Sequence, residues 1–129
     1  MYHVDIVNSG NSTFRVTSSD YEFTVDTQGK GITPPDTLLA ALGSCIGVYV
    51  RKYAEGAKLR LQEFSITLDA ELCKEPPACF KKIEVVIDLK GQPLEERRIK
   101  PLLEFIKNCP VHNTLIANPA VEIKISSQK

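Results

Sequence analysis

The sequence predicts an α+β fold in the order strands, buried helix, strands, helices, strand. Three observations carry this expectation. Apolar and polar side chains alternate through residues 1–26 and again over 64–89, the period of half-buried strands. Between these regions an apolar run, Leu38–Val50, lies within a segment that Thr33 is placed to cap and Gly56 to stop. The last third is rich in helix formers and punctuated by Pro101 and Pro110, before alternation returns at the end. With 129 residues and 43% hydrophobic side chains, the chain reads as a single domain, 1–129, that buries about two-thirds of its extended surface.

Each element has a local cause. Tyr2, Val4 and Ile6 form one alternating run and Phe14 and Val16 a second. After a turn at Ser18-Ser19-Asp20, Tyr21, Phe23 and Val25 form a third, giving a meander of about three strands. The loop Gly29-Lys30-Gly31 leads into a helix start, with Thr33 placed to cap, Pro34 at the first helical position and Asp36 three residues after the cap. Apolar residues from Leu38 to Tyr53 surround this helix, which predicts burial on most sides. Gly43 and Gly47 are costly inside a helix, so they predict close approach by another backbone, and Gly56 is the expected stop.

Phe64, Ile66, Leu68 and Ala70 share one strand face, and Ile83, Val85, Ile87 and Leu89 another. The stretch Cys73 to Cys79, containing Pro76-Pro77, is too long and proline-rich for a tight hairpin. Leu94 to Lys107 reads as helix that Pro101 kinks or splits. Asn108-Cys109-Pro110 opens a further helix with Asn108 as cap, and Val121, Ile123 and Ile125 close the chain as a strand.

Sixteen Lys and Arg balance sixteen Asp and Glu. Such a chain builds no field for nucleic acid or anionic lipid. Met1–Gly10 has neither the apolar core nor the basic lead of a signal peptide. The longest apolar run, Leu38–Val50, falls short of the about 20 residues of a membrane span. The expected setting is the cytoplasm, where cysteines are free, redox-active or metal-bound more often than structurally bridged.

The four cysteines differ in context. Cys109, next to Pro110, lies at a helix N-terminus, where free N–H groups and the dipole favour thiolate, with His112 three residues on. It reads equally as a small buried residue opening a helix. Cys45 lies far past the first turn of the apolar helix, where burial raises a thiol pKa, so by itself it reads as core. A reactive Cys45 needs a cation, such as an arginine, from another element. Cys73 and Cys79 have five residues between them, against two to four for a zinc pair, and no second pair or histidine completes a site. Two incidental loop cysteines are the simplest reading; a loop disulfide or an accessory redox pair is the alternative. No Cys-x-x-Cys, Gly-x-x-x-x-Gly-Lys or His-Glu-x-x-His motif occurs.

Two stretches together resemble one family. Pro35-Asp36-Thr37-Leu38-Leu39-Ala40-Ala41-Leu42-Gly43-Ser44-Cys45 is similar to the cysteine helix of the OsmC/Ohr proteins, the osmotically inducible and organic hydroperoxide resistance proteins. Cys109-Pro110-Val111-His112-Asn113-Thr114-Leu115 resembles that family's second cysteine motif. The resemblance spans roughly Phe14 to Ile125. It implies an OsmC-like fold in an intertwined homodimer, with a cysteine pair at each subunit interface. It further implies a peroxidase in which Cys45 attacks an organic hydroperoxide and Cys109 resolves the sulfenic acid as a disulfide. An external dithiol such as a lipoyl protein then clears that disulfide, with no bound cofactor or metal.

By the same resemblance an arginine and a carboxylate activate the first cysteine. Arg15 is the only arginine before the helix, and Asp36 the carboxylate at its start. Asp36 precedes Cys45 by nine residues, about 13 Å along a regular helix and on its opposite face. Asp36 therefore also reads as a stabiliser of the helix N-terminus. The alternative function is an OsmC-like redox sensor or small-molecule-binding protein with little peroxidase activity.

Overall fold

The computed structural model describes residues 2–127; residue 1 and residues 128–129 of the expected 1–129 domain lie outside them. Its elements run β1 (Asp5–Val7), β2 (Thr13–Ser18), β3 (Tyr21–Asp26), α1 (Pro34–Gly56), β4 (Ser65–Leu72), β5 (Phe80–Asp88), α2 (Glu96–Ile106) and α3 (Pro110–Ala117). This is the α+β order expected, up to the last element. The chain gathers into two compact units, 1–43 and 44–129.

The first unit holds the meander, an antiparallel sheet in the order β1-β2-β3. Tyr2 and Val4 fall outside β1. After β3 the chain doubles back: the Asp26 N–H donates to the Ile32 carbonyl at 3.0 Å, and Val25 pairs with Ile32 in a parallel bridge. The buried Asp26 carboxylate organises this loop by accepting from the N–H groups of Gln28 (3.1 Å) and Lys30 (2.9 Å). The loop packs so tightly that a Cβ on Gly31 would lie 2.5 Å from the Thr24 carbonyl oxygen. Close backbone approach is thus a property of Gly31. It is not one of Gly47, whose nearest neighbours are the Ile66 and Phe64 side chains.

α1 starts and stops where its punctuation predicts. The Thr33 hydroxyl accepts from the Asp36 N–H at 3.2 Å, and the helix ends at Gly56. Burial on most sides is corrected: the fully buried positions Leu42, Gly43, Ile46, Val50 and Ala54 form one stripe at helical spacing, whereas Leu38 and Val48 are exposed. The described chain covers one face of this helix and leaves another apolar face open.

In the second unit β4 and β5 pair antiparallel, Ile66 opposite Ile87 and Ala70 opposite Ile83, with a bulge at Glu71/Leu72. Arg51 ties α1 to the entry of β4. Its guanidinium donates to the Leu61 and Gln62 carbonyls and lies 5.1 Å over the Phe64 ring. The core of the unit comprises Ile46, Val50, Ala54, Leu102, Ile106 and Cys109. α2 runs unbroken through Pro101. One absent N–H costs a single rung, and burial of Leu102 and Ile106 on either side of the next turn offsets it.

The closing strand is a correction. Residues 118–127 form no strand among the described residues, and Val121, Ile123 and Ile125 stand 80%, 86% and 92% exposed. Alternation supplies an apolar face, but a strand also requires a neighbouring edge to pair its N–H and C=O groups. No described strand of this chain does so. Among the described residues no helix is long and apolar enough to cross a membrane.

Candidate active site

Cys45 and Cys109 are free thiols, and both belong to the second unit. Their meeting point follows from how α2 ends. The N–H groups of Lys107, Asn108 and Cys109 donate to the carbonyls of Glu104, Phe105 and Ile106 at 3.2, 3.1 and 3.0 Å, a tightened last turn. Pro110 stops it: a residue before proline is pushed out of the helical region, and Cys109 takes φ −61° and ψ 117°. Cys109 itself, and not Asn108, is therefore the cap of α3. Asn108 serves α2 instead, its amide Nδ2 donating to the Phe105 carbonyl at 2.9 Å.

A helix N-terminus carries N–H groups without intrahelical partners, and in α3 they end on sulfur. Pro110 has no N–H. The Val111 N–H bears on the Cys45 sulfur and favours its thiolate, and the His112 N–H donates to Cys109 Sγ at 3.5 Å. The Asn113 N–H makes the first regular bond, to the Cys109 carbonyl at 3.0 Å. α1 is held against this turn by aromatic contacts, the Phe105 ring lying 5.9 Å from that of Tyr49 and 5.8 Å from that of Tyr53.

The Cys109 thiol lies near Cys45 and acts on its titration. Cys109 is fully buried and Cys45 half-buried. Burial first, and then the Cys109 thiol and its charge, push the Cys45 pKa up; the Val111 N–H and the Lys52 ammonium pull it down without reversing the sign. Burial of Cys45 thus acts as its apolar sequence context predicts. Lys52 and the Val111 amide are groups that reading the sequence missed. Their signals are the i+7 spacing of Lys52 from Cys45 on one helix and the proline that leaves Val111 with the first N–H of α3.

The remaining candidates have separate partners. Arg15, on β2, pairs with Glu22 at 3.9 Å with both side chains exposed. Asp36 occupies the first turn of α1, where the helix dipole favours a carboxylate. The His112 imidazole faces Asn113 Oδ1 at 3.4 Å, so His112 serves Cys109 through its backbone.

Cys73 and Cys79 are corrected from incidental loop residues to a disulfide, with Cα atoms 5.6 Å apart. The physical reason is register. Leu72 pairs with Phe80, and one more step along the ladder sets Cys73 opposite Cys79, within bridging distance.

The OsmC-like protein family model matches residues 27–124 of the chain. No curated protein sequence matches it. Among solved structures, an OsmC-like protein from Mycoplasma pneumoniae is similar, with a TM-score of 0.77, 22% identity and coverage of 90% of this chain and 87% of that one. A hypothetical protein from Aquifex aeolicus has a TM-score of 0.76 and 22% identity, covering 91% and 88%. An organic hydroperoxide resistance protein OsmC from Legionella pneumophila has a TM-score of 0.64 and 20% identity, covering 92% of each chain. At these identities the likeness is one of fold.

Proposed function

The chain belongs to the OsmC-like protein family, and from that premise we propose that it is a thiol-dependent peroxidase that reduces organic hydroperoxides to alcohols. The nearness of the Cys45 and Cys109 thiols at the start of α3 is the observation that carries this reading. Cys45, as thiolate, attacks the distal peroxide oxygen. The O–O bond breaks, the alkoxide takes a proton and leaves as alcohol, and Cys45 becomes a sulfenic acid. Cys109 then attacks the Cys45 sulfur and displaces water, forming the Cys45–Cys109 disulfide. An external dithiol such as a lipoyl protein returns both to thiols.

The Val111 N–H favours negative sulfur at Cys45, and the His112 N–H donates to Cys109 Sγ. The activating cation is assigned through the family resemblance to Arg15, with Asp36 to orient it, while Lys52 already bears on Cys45. An open groove of about 630 Å³ is lined by the apolar Ile46, Val85, Ile87, Ile99 and Leu103, by His112, and by the charged Glu96, Lys100, Glu104 and Lys107; its apolar part suits an alkyl chain. The working form is an intertwined homodimer. In support, Leu38 and Val48 of α1 and the segment Val121–Ile125 stand exposed as apolar surface that a second copy would cover. A cytoplasmic setting would keep the resting pair as thiols.

The raised Cys45 pKa favours a second reading, a redox sensor or small-molecule-binding protein with slow peroxide chemistry. Turnover of cumene hydroperoxide with excess dithiothreitol separates the two. The peroxidase consumes many equivalents per chain and loses this on Cys45→Ser. Consumption that stops at or below one equivalent, or persists in Cys45→Ser, rules the peroxidase out.

A further inference from the structure

The peroxidase chemistry leaves two cysteines unused. Cys73 and Cys79 close the far end of the β4–β5 hairpin, beyond the bulge at Glu71/Leu72. Cys79 is exposed, Cys73 is half-buried, and every residue between them, from Lys74 to Ala78, is exposed. Exposed disulfides are the ones open to attack by thiols, in contrast to those enclosed in a core.

We propose that Cys73 and Cys79 form a second thiol–disulfide exchange site, on a different element from the Cys45–Cys109 pair, that small thiol–disulfide couples reduce and re-form while the protein stays folded. Two features support reversibility. The Cys79 sulfur belongs to an exposed residue, so an incoming thiolate meets it before that of Cys73. The ladder also holds the pair in register without the covalent bond: Leu72 stays paired with Phe80, and the Cys73 N–H donates to the Cys79 carbonyl at 2.9 Å. After reduction the two thiols remain opposite each other, so the bond re-forms as an intramolecular step.

The exchange balances as follows. A thiolate RS⁻ attacks Cys79 Sγ, the S–S bond breaks, and Cys73 leaves with the electron pair and takes a proton. A second RS⁻ attacks the R sulfur of the mixed disulfide, forming RSSR and releasing Cys79 as thiolate, which is then protonated. Two small thiols are oxidised and the protein disulfide becomes two thiols. With RSSR in excess the sequence runs backwards. Reduction removes the covalent end of the hairpin, so the Cys73 amide reports on the state of the pair.

The test is a titration of the native, full-length chain against mixtures of reduced and oxidised glutathione, with peptide mass spectrometry after alkylation of free thiols. The expected result is a smooth two-electron conversion of Cys73 and Cys79 between disulfide and dithiol, reversible from both directions. Hydrogen exchange at the Cys73 amide should be faster in the dithiol form. Oxidised glutathione should also label Cys79 in Cys73→Ser about tenfold or more faster than Cys73 in Cys79→Ser. A pair that resists glutathione until denaturant is added, or thiols that never couple under oxidised glutathione, would overturn the proposal. Equal labelling of the two single variants would overturn entry at Cys79.

Discussion

The Cys45 and Cys109 thiols share the amino end of one helix, the Val111 N–H serving the first sulfur and the His112 N–H the second. Pro110 makes this possible. It lacks an N–H, it starts α3, and it forces Cys109 into the extended cap conformation that turns its sulfur back over the free amides. The site is therefore built from a backbone feature of α3 and a side chain delivered by α1.

The raised Cys45 pKa sets a pH dependence. The folded state holds the thiol proton more tightly than the unfolded chain. Alkylation of Cys45 by iodoacetamide should therefore keep rising above pH 8.5, about the free-thiol value, with no plateau near neutrality. The linked stability is present below that pH and lost as pH climbs through the folded value. Because the neighbouring Cys109 adds to the shift, Cys109→Ala should move the profile to lower pH but leave the part due to burial. A rate already flat at pH 7 would contradict the assigned cause.

The resolving role of Cys109 predicts a distinct defect from that of Cys45. Cys45→Ser should lower hydroperoxide turnover on the order of 10³-fold or more. Cys109→Ser should still consume about one equivalent in a first, stoichiometric turn that leaves Cys45 as sulfenic acid, and a second equivalent of hydroperoxide should then carry Cys45 to sulfinic acid. Intact-mass measurement distinguishes the two. A Cys109→Ser variant that turns over as the parent does would remove Cys109 from the mechanism.

Asp26 predicts an acid sensitivity in the first unit. Burial would raise its pKa, but the Gln28 and Lys30 N–H groups, the Ser12 hydroxyl and the Lys30 ammonium outweigh this and hold it below the usual carboxylate range. A depressed carboxylate contributes stability above its unfolded pKa, about 3.9, and loses it as pH falls through the folded value. Asp26→Asn should therefore lower the Tm at pH 7, with the gap from the parent closing below pH 4. An unchanged Tm at pH 7 would show that the carboxylate is dispensable to the loop.

Val50 tests the core of the second unit. It is 1% exposed, in the middle of the buried α1 stripe. It also lines a cavity of about 190 Å³ with Ala54, Leu61, Leu89 and Leu102. Val50→Ala removes buried surface and enlarges that space, so it should cost about 2–3 kcal/mol, read as a lower urea midpoint with the slope unchanged. A loss under about 0.5 kcal/mol, the range of surface substitutions, would mean that this stretch of α1 is not core.

Much of the fold was legible in the chain because its punctuation is local. Thr33, Pro34 and Gly56 mark α1, and alternation marks β2 to β5. The start of α3 was also legible, although the residue before proline, and not Asn108, turned out to cap it. What escaped is tertiary. The pairing of Cys45 with Cys109 came only through the family resemblance, and nothing near Cys45 in sequence announces Val111. The Cys73–Cys79 bond depends on a register with a bulge in it. Val121, Ile123 and Ile125 carry a strand's alternation, but alternation states which side chains want burial and not which edge will accept the backbone.

The most direct measurement is non-reducing peptide mapping of the wild-type chain before and after one equivalent of an alkyl hydroperoxide. The nearness of the two thiols predicts rapid formation of a Cys45–Cys109 disulfide, reversed by dithiol, with the Cys73–Cys79 peptide unchanged by the peroxide. Cys45 and Cys109 both recovered as thiols while the peroxide persists would contradict the peroxidase.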